Sequence, residues 1–314
     1  MQNDGKIVII GAGHVGSHCA MALARGRACK EIVLVDKDAQ KARSQALDVS
    51  DALTFPPSQT VVRDGVYTDC ADAAIVVIAV GEPRLPGQTR LDMLEHSVLM
   101  LRELVGVLKP IGIGGLVITI TNPADIIADY VRRGLGLDRH RVFGTGTLLD
   151  TARLIRILSE QTGYSRSSIS AFSMGEHGDS SMVPFNCISI GGKPYESFSQ
   201  LDKADVLTRT RVSGFDIING KFSTEFGIGQ VLAVLCDSIL RDEKRVLPLS
   251  VLLEGEYGQK DVHCGVPCLV GRTGIESVIE VLLSADEQAQ LEESCRIIRK
   301  HMAIGQEIAP INAG

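Results

Sequence analysis

Three stretches of the chain carry residue types that could do chemistry together. "SMGEHGDSSMVPF" sets His177 in a glycine-flanked polar loop after a strand-like run, where an imidazole can face a cleft. "GTGTLLDTARLIRIL" places Asp150 and Arg153 three residues apart at the start of a predicted helix, so both project from one face. "GEPRLPGQTRLDML" holds Arg84 and Arg90 six apart in a segment punctuated by glycine and proline, the composition of a loop. A carboxylate beside a histidine orients the ring and favours its protonated form, and an arginine fork takes a carboxylate. The bland readings are an intrahelical ion pair worth a few tenths of a kcal/mol and two solvated loop charges.

A fourth stretch supplies a partner for that chemistry. "IVIIGAGHVGSHCAMALA" has Gly11, Gly13 and Gly16 at G-x-G-x-x-G spacing between a strand and a helix, and the next strand ends in Asp36. Gly11 permits the tight turn, Gly13 lets backbone amides approach a pyrophosphate, and Gly16 lets helix and strand pack closely. The helix N-terminus stabilises the phosphates. Asp36 accepts from the ribose hydroxyls and repels a 2′-phosphate, so NAD is favoured over NADP, with Lys37 tempering the repulsion. As a plain structural residue, Asp36 is a strand-end turn. A nicotinamide cofactor moves a hydride, so a carbonyl–alcohol couple needs a second group to move the proton. Of the seven histidines, only His177 has both the loop setting and a carboxylate partner in view.

The elements that must position these groups follow from the hydrophobic pattern. "KIVIIGAG", "EIVLVD", "AAIVVIAVG" and "GLVITITN" read as strands apolar on both faces, and helical stretches such as 15–25 and 92–108 lie between them. In the latter, Leu94, Val98, Leu101 and Val105 recur at helical spacing and Pro110 is expected to stop the run. This alternation predicts an α/β fold, a Rossmann-type doubly wound parallel sheet. From about residue 148 the texture changes to an α+β catalytic domain. It has helices at 148–162, 200–220 and 224–242, strands "ISAFSM", "VLPLSVLLEG" and "VPCLVGRTG", and a last helix opened by the capping-box pair Ser284 and Glu287. The expected division is 1–147 for NAD binding, 148–302 for substrate and catalysis, and a frayed tail at 303–314.

Bulk properties narrow the partners. With 45% hydrophobic and 22% charged residues the composition is globular, and a net charge of −6 without a long basic run argues against nucleic acid. No apolar run reaches the roughly 20 residues of a bilayer span, and "MQNDGK" leads into "IVII" without a signal-peptide pattern. The eight cysteines include no C-x-x-C pair. Cys264 and Cys268, with His263, could suggest a metal, but buried small hydrophobes in a reducing compartment is the preferred reading, hence no metal and a cytoplasmic location.

Taken in series, the glycine fingerprint, Asp36, "TNPAD", "GTGTLLDTAR" and "GEHGDSS" resemble the NAD-dependent L-lactate/malate dehydrogenase family, over nearly the whole chain to about residue 302. The resemblance implies roles. His177 is the proton donor and acceptor, Asp150 pairs with it, and Arg153 binds the substrate carboxylate. Asn122 touches substrate and cofactor. Arg90, the last arginine of a closing loop, polarises the reacting carbonyl. Thr224 lines the side-chain pocket, and Gly11, Gly13, Val15, Gly16, Asp36, Lys41, Tyr67, Gly81, Asn122 and Thr145 are the cofactor set. The implied partners are a small 2-keto or 2-hydroxy acid and further copies of the chain, as tetramer or dimer. A role in glycolysis and fermentation goes with them.

Arg84 bears on which acid. In the family the residue six before the catalytic arginine reads the substrate side chain, commonly Gln for lactate and Arg for malate. A dicarboxylate needs a second cation, whereas over pyruvate an enclosed Arg84 is an unpaired charge costing a few kcal/mol. Gln88, where lactate-type loops often carry Glu, leans the same way, although Arg84 can also pair with Glu82. Against this, "GTGTLLDTARL", "GEHGDSS" and "FSTEFGIG" resemble the lactate branch. The preferred reading is L-lactate dehydrogenase chemistry, with malate dehydrogenase or a broader L-2-hydroxyacid dehydrogenase as the alternative. A sensor that kept the fold and lost the chemistry would have a broken His–Asp–Arg set, and a short-chain oxidoreductase would need Tyr-x-x-x-Lys, absent here.

The resemblance also bears on regulation. Relatives activated by fructose 1,6-bisphosphate use an interfacial His and Arg, which align here with Cys187 and Ser167, Arg166 lying beside the latter. Adding that sugar phosphate is expected to leave the KM for pyruvate unchanged; a sharp fall in KM would refute this.

Overall fold

In the computed structural model the described residues are 3–26, 28–55, 58–81 and 90–311, with the side chains of 3, 4 and 90–92 outside the description. Six parallel strands open the chain: β1 (Asn3–Ile10), β2 (Glu31–Val35), β3 (Val61–Asp64), β4 (Ala73–Ile78), β5 (Leu116–Thr119) and β6 (Val142–Gly144). They lie in the order 3-2-1-4-5-6, the arrangement of a Rossmann sheet, whose strand order reverses between β1 and β4 and opens a crevice there. Ile7–Ile10 and Ile75–Ile78 are almost wholly buried, as unbroken Val/Ile runs predict for strands covered on both faces. The covering helices are α1 (His14–Ala24), α2 (Ala39–Ala52), α3 (Arg90–Ile111) and α4 (Ala124–Leu135).

The second half adds α5 (Leu148–Thr162) and a small antiparallel sheet of β7 (Ile169–Ser170), β8 (Ser189–Ile190) and β9 (Lys193–Pro194). After these come α6 (Lys203–Lys221), α7 (Phe226–Leu240), the strands β10 (Arg245–Glu254), β11 (Lys260–Gly271) and β12 (Gly274–Val278), and α8 (Ala285–Ile308). The last three strands are antiparallel and continue the main sheet, β10 joining β6 at Ser250 and Gly144. The sheet of nine strands therefore crosses the expected boundary near 147, and one hydrophobic core spans it, from Ile7 to Leu249, Val266 and Ile298. Helices α1 and α2 pack together and α1 against α7, whereas α3 and α4 pack with α8.

Three expectations are corrected. Pro110 does not stop α3, which runs one residue further. Pro110 has no N–H to bond back to Gly106, so the helix loses one hydrogen bond there but continues. The stop is Gly112, whose φ of +74° is left-handed and whose N–H donates to the carbonyl of Leu108 at 3.3 Å. "ISAFSM" is a strand only at Ile169–Ser170. Beyond it the chain leaves the small sheet, the Ser173 amide donating to Thr151 Oγ1 at 2.8 Å and Gly175 bridging Gly265. The tail expected to fray from 303 instead continues α8 to Ile308, with Gly305 against Leu94, Val98 and Ile126, and Ala309 fully buried. The Ser284–Glu287 capping box opens that helix as expected: Ser284 Oγ accepts from the Glu287 amide at 3.3 Å, and Glu287 Oε2 accepts from that of Ser284 at 2.9 Å.

Candidate active site

The cofactor residues gather at the carboxyl ends of the parallel strands, where ligands of such sheets bind. Gly11, Gly13 and Gly16 form the β1–α1 turn, with Val15 half-buried in α1. Gly11 has φ +107°, and a Cβ there would stand 2.6 Å from the carbonyl oxygen of Ala79 beyond β4. At Gly16 a Cβ would lie 1.8 Å from the Gly11 carbonyl oxygen, so only glycine lets helix and turn meet. Gly13 differs: its φ of −76° suits any residue, and the nearest atom to a Cβ is Lys41 Nζ at 4.0 Å. Neither backbone geometry nor protein packing asks for glycine at 13, and Gly81, after β4, is equally open. Open space beside Gly13 is what close approach of a pyrophosphate to backbone amides requires.

Asp36 follows β2 and is held from the loop itself. Its Oδ2 accepts from the Ala12 amide at 2.8 Å and its Oδ1 from the Asp38 amide at 3.1 Å. The Asp36 carboxylate is thus fixed by the turn itself. Asp38 caps α2 by accepting from the Lys41 amide, and Lys41 Nζ stands 3.9 Å from Asp36. Tyr67 opens a 3-10 turn pinned by Asp69, whose carboxylate accepts from Arg63 at 2.7 Å, the Val66 amide at 2.9 Å and Lys6 at 3.3 Å. Burial and the nearby Asp36 charge push the Tyr67 phenol up, which puts the two side chains in one neighbourhood. Asn122 ends the β5 turn at a cis peptide to Pro123, its carbonyl accepting from Ser97 of α3 at 2.9 Å, and Thr145 is buried just past β6.

A second cluster assembles from the other half. His177 Nδ1 and Asp150 Oδ2 are 2.5 Å apart, and Arg153 Nη1 donates to Asp150 Oδ1 at 2.9 Å. One buried carboxylate therefore serves both residues. The predicted helical face does bring Asp150 and Arg153 together, as an ion pair within α5. Gly214 of α6 seats the guanidinium: a Cβ there would stand 3.2 Å from Arg153 Nη2. Among the described residues only one N–H of Arg153 is hydrogen-bonded, leaving most of the fork for an anion.

The electrostatics are coupled. Burial alone would lower the His177 pKa, but the Asp150 charge and hydrogen bond outweigh it and raise it above the ordinary value. Burial pushes Asp150 up, yet His177 and Arg153 hold its carboxyl below the usual range. The His177 side chain is 21% exposed while that of Asp150 is only 9%. With Nδ1 committed to the carboxylate, Nε2 is the nitrogen able to pass a proton outward. The arrangement can protonate an oxygen and hold a carboxylate beside a dinucleotide crevice.

For other expected residues no contact with this cluster is described. Thr224 is half-buried on the α6–α7 connection and makes no hydrogen bond among the described residues; its neighbour Glu225 accepts from Lys221 and Ser223. Arg84, with Glu82 and Gln88, lies outside the described residues, as does the Arg90 side chain, although Arg90 begins α3. Among the described residues no His/Cys/Asp/Glu group is arranged to hold a metal. Cys264 and Cys268 are fully buried, Cys264 facing Cys295 at 3.6 Å, and His263 pairs instead with Asp129 at 3.3 Å.

Two residues of the site escaped the sequence reading. The Glu176 amide donates to Ser294 Oγ of α8 at 2.7 Å, and the His177 amide to Asp125 Oδ2 at 2.9 Å. Asp125 stood in the quoted "TNPAD", and a carboxylate next to a binding asparagine was the available signal. Ser294, over a hundred residues from its partner, offered none.

Comparison with known proteins completes the picture. Residues 5–144 match the family model described as lactate/malate dehydrogenase, NAD binding domain, and residues 147–309 its alpha/beta C-terminal domain. The chain is 39% identical over 305 residues to L-lactate dehydrogenase 3 of Bacillus anthracis, covering 95% of this chain and 96% of the relative. It is 38% identical over 307 residues to L-lactate dehydrogenase 1 of Bifidobacterium longum subsp. longum, covering 95% and 97%. The solved minor L-lactate dehydrogenase from Enterococcus mundtii superposes with a TM-score of 0.92 at 31% identity, over 95% of this chain and 98% of that one. A lactate dehydrogenase enzyme from a Medee basin deep-sea metagenome library gives 0.92 at 32%, over 98% and 100%. With the glycine turn and Asp36 ready for its cofactor, NAD, and the His–Asp–Arg cluster beside it, this chain is an NAD-dependent oxidoreductase that belongs to the lactate/malate dehydrogenase family.

Proposed function

We propose that the enzyme catalyses the reversible interconversion of pyruvate and L-lactate, as the names of its relatives state for them. The observation that carries this reading is the single carboxylate of Asp150 shared by His177 and Arg153. Gly11, Gly13, Val15, Gly16, Asp36, Lys41, Tyr67, Gly81, Asn122 and Thr145 would hold NAD, which when bound would supply or take the hydride at the substrate's second carbon. Arg153 holds the substrate carboxylate through its fork, which fixes the keto oxygen near Nε2 of His177. His177 gives that oxygen its proton during reduction and recovers it during oxidation, while Asp150 keeps the ring oriented and favours the imidazolium. Arg90 is assigned to the developing alkoxide, Asn122 to substrate and cofactor, and Thr224 and Arg84 to the side-chain end.

In this division residues 1–147 bind NAD and residues from 148 onward supply substrate contacts and the proton. The reaction regenerates NAD for glycolysis under fermentation, in the cytoplasm, and the enzyme assembles as a homotetramer or homodimer. No helix among the described residues is long and apolar enough to cross a membrane.

The deciding experiment is kcat/KM for NADH oxidation with pyruvate and with oxaloacetate, on the wild type and on Arg84→Gln. Pyruvate is expected to be preferred, with little change in the variant. A preference for oxaloacetate that collapses in Arg84→Gln would overturn the assignment and make Arg84 the ligand of a second carboxylate.

A further inference from the structure

The loop that presents His177 is tied down at consecutive backbone positions. Gly175 exchanges both main-chain hydrogen bonds with Gly265 of β11, at 2.9 Å each. The Glu176 amide then goes to Ser294, and the His177 amide to the carboxylate of Asp125. The first two anchors are neutral and the third is a potential charge, only 1% exposed, in the first turn of α4, three residues after Asn122. Its other oxygen, Oδ1, is buried beside the hydroxyl of Ser250. A lone amide bond did not require an acid here, since serine serves the adjacent position. A carboxylate costs more to bury than a hydroxyl, and its neighbour is the group whose positive form the proposed reaction needs.

We propose that Asp125 is a positioning residue for His177, anchoring its main chain and acting, behind Asp150, as a second buried anion that favours the imidazolium. The proposal rests on the reading of His177 as proton donor. Asp150 and Asp125 approach the histidine from different elements, α5 and α4, so ring and backbone are held by separate carboxylates. The other ionisable groups around the pair are Arg153 on α5, Glu176 in the loop and Cys264 on β11, whose thiol stays neutral because its neighbour Cys295 and burial push it up. Burial raises the Asp125 carboxyl to about 6, with Ser250 and His177 opposing. Above that pH Asp125 is anionic and supports the imidazolium. Below it, Oδ1 takes the proton and can donate to Ser250.

Asp125→Asn keeps the size and an acceptor for the His177 amide but removes the charge; Ser294→Ala removes a neutral anchor. The readouts are the pH profile of kcat/KM for pyruvate reduction and a ring-carbon NMR titration of His177, assigned with His177→Gln. In Asp125→Asn the His177 midpoint is expected to fall by about one pH unit, with about a tenfold loss of kcat/KM at pH values above both midpoints. Ser294→Ala should lower kcat/KM without moving the midpoint. An unmoved midpoint in folded Asp125→Asn overturns the proposal. If that variant does not fold, the wild-type ring signal decides: a second inflection near pH 6 supports the coupling, and its absence overturns it. The NMR arm uses no substrate, so a wild type that turns over no 2-keto acid would refute the proposed reaction while leaving the Asp125 result readable.

Discussion

Asp150→Asn is expected to lower kcat/KM for pyruvate reduction by about a thousandfold or more, with NADH binding intact. The size follows from two losses at once. Asparagine can still accept from Nδ1 of His177, so the ring need not move, but the charge that overcomes burial of the imidazolium is gone. Losing the charged partner of a catalytic histidine costs about 10⁴ in kcat in the serine proteases. Arg153 also loses its counter-ion in a buried site, which costs several kcal/mol or draws the guanidinium out of place. The pH dependence fixes the sign. Reduction consumes the proton on His177, whose folded-state pKa is raised by the Asp150 charge and hydrogen bond. The rate therefore holds at low pH and falls as pH rises through that value, while lactate oxidation rises. In Asp150→Asn the same fall moves to more acid pH. Steady-state profiles in both directions, with NADH affinity followed by nucleotide fluorescence, check it; a variant with a wild-type midpoint would place the histidine's charge under other control.

Gly16→Ala and Gly13→Ala should fail in opposite ways, though the two positions are three residues apart in one motif. At 16 the added methyl meets the Gly11 carbonyl at 1.8 Å, and a backbone oxygen inside a turn cannot swing aside as a side chain would. Overpacking of ordinary cores costs about 1–3 kcal/mol, and this contact exceeds what those values describe. The variant should be insoluble or melt many degrees lower, and should not bind NADH. At 13 the methyl meets no protein atom closer than 4.0 Å and the backbone is unstrained. Its Tm should stay within a few degrees of wild type, yet the Kd for NADH should rise by at least about tenfold, about 1.4 kcal/mol, because the methyl fills space meant for phosphate. Wild-type NADH affinity in Gly13→Ala would mean that the pyrophosphate lies elsewhere.

That contrast illustrates what a sequence can disclose. The fingerprint, the strand–helix alternation and the Asp150–Arg153 spacing are local, so period and turn chemistry reveal them. The capping box at Ser284 and Glu287 is legible for the same reason. Longer-range contacts decide the rest. Whether "ISAFSM" stays a strand depended on Thr151 and Gly265, and whether the tail frays depended on Leu94, Val98 and Ile126 receiving Gly305. Pro110 misled because the helix runs one residue past it, and the left-handed Gly112 two residues on is the terminator. Asp125 and Ser294 act on main-chain amides 52 and 118 residues away, and main-chain amides look alike in any sequence.

The junction of β6 with β10 has a practical consequence. The two family models divide the chain between residues 144 and 147, which invites treating the halves as exchangeable modules. Yet Gly144 is itself a pairing partner of Ser250, and the apolar interior is shared. Severing the chain there would strip a neighbour from two strands that nothing else caps, and bare ladder edges recruit one another into aggregates. Chimeras that swap nucleotide specificity by grafting the first half onto a foreign second half must therefore transplant β10 and its contacts as well.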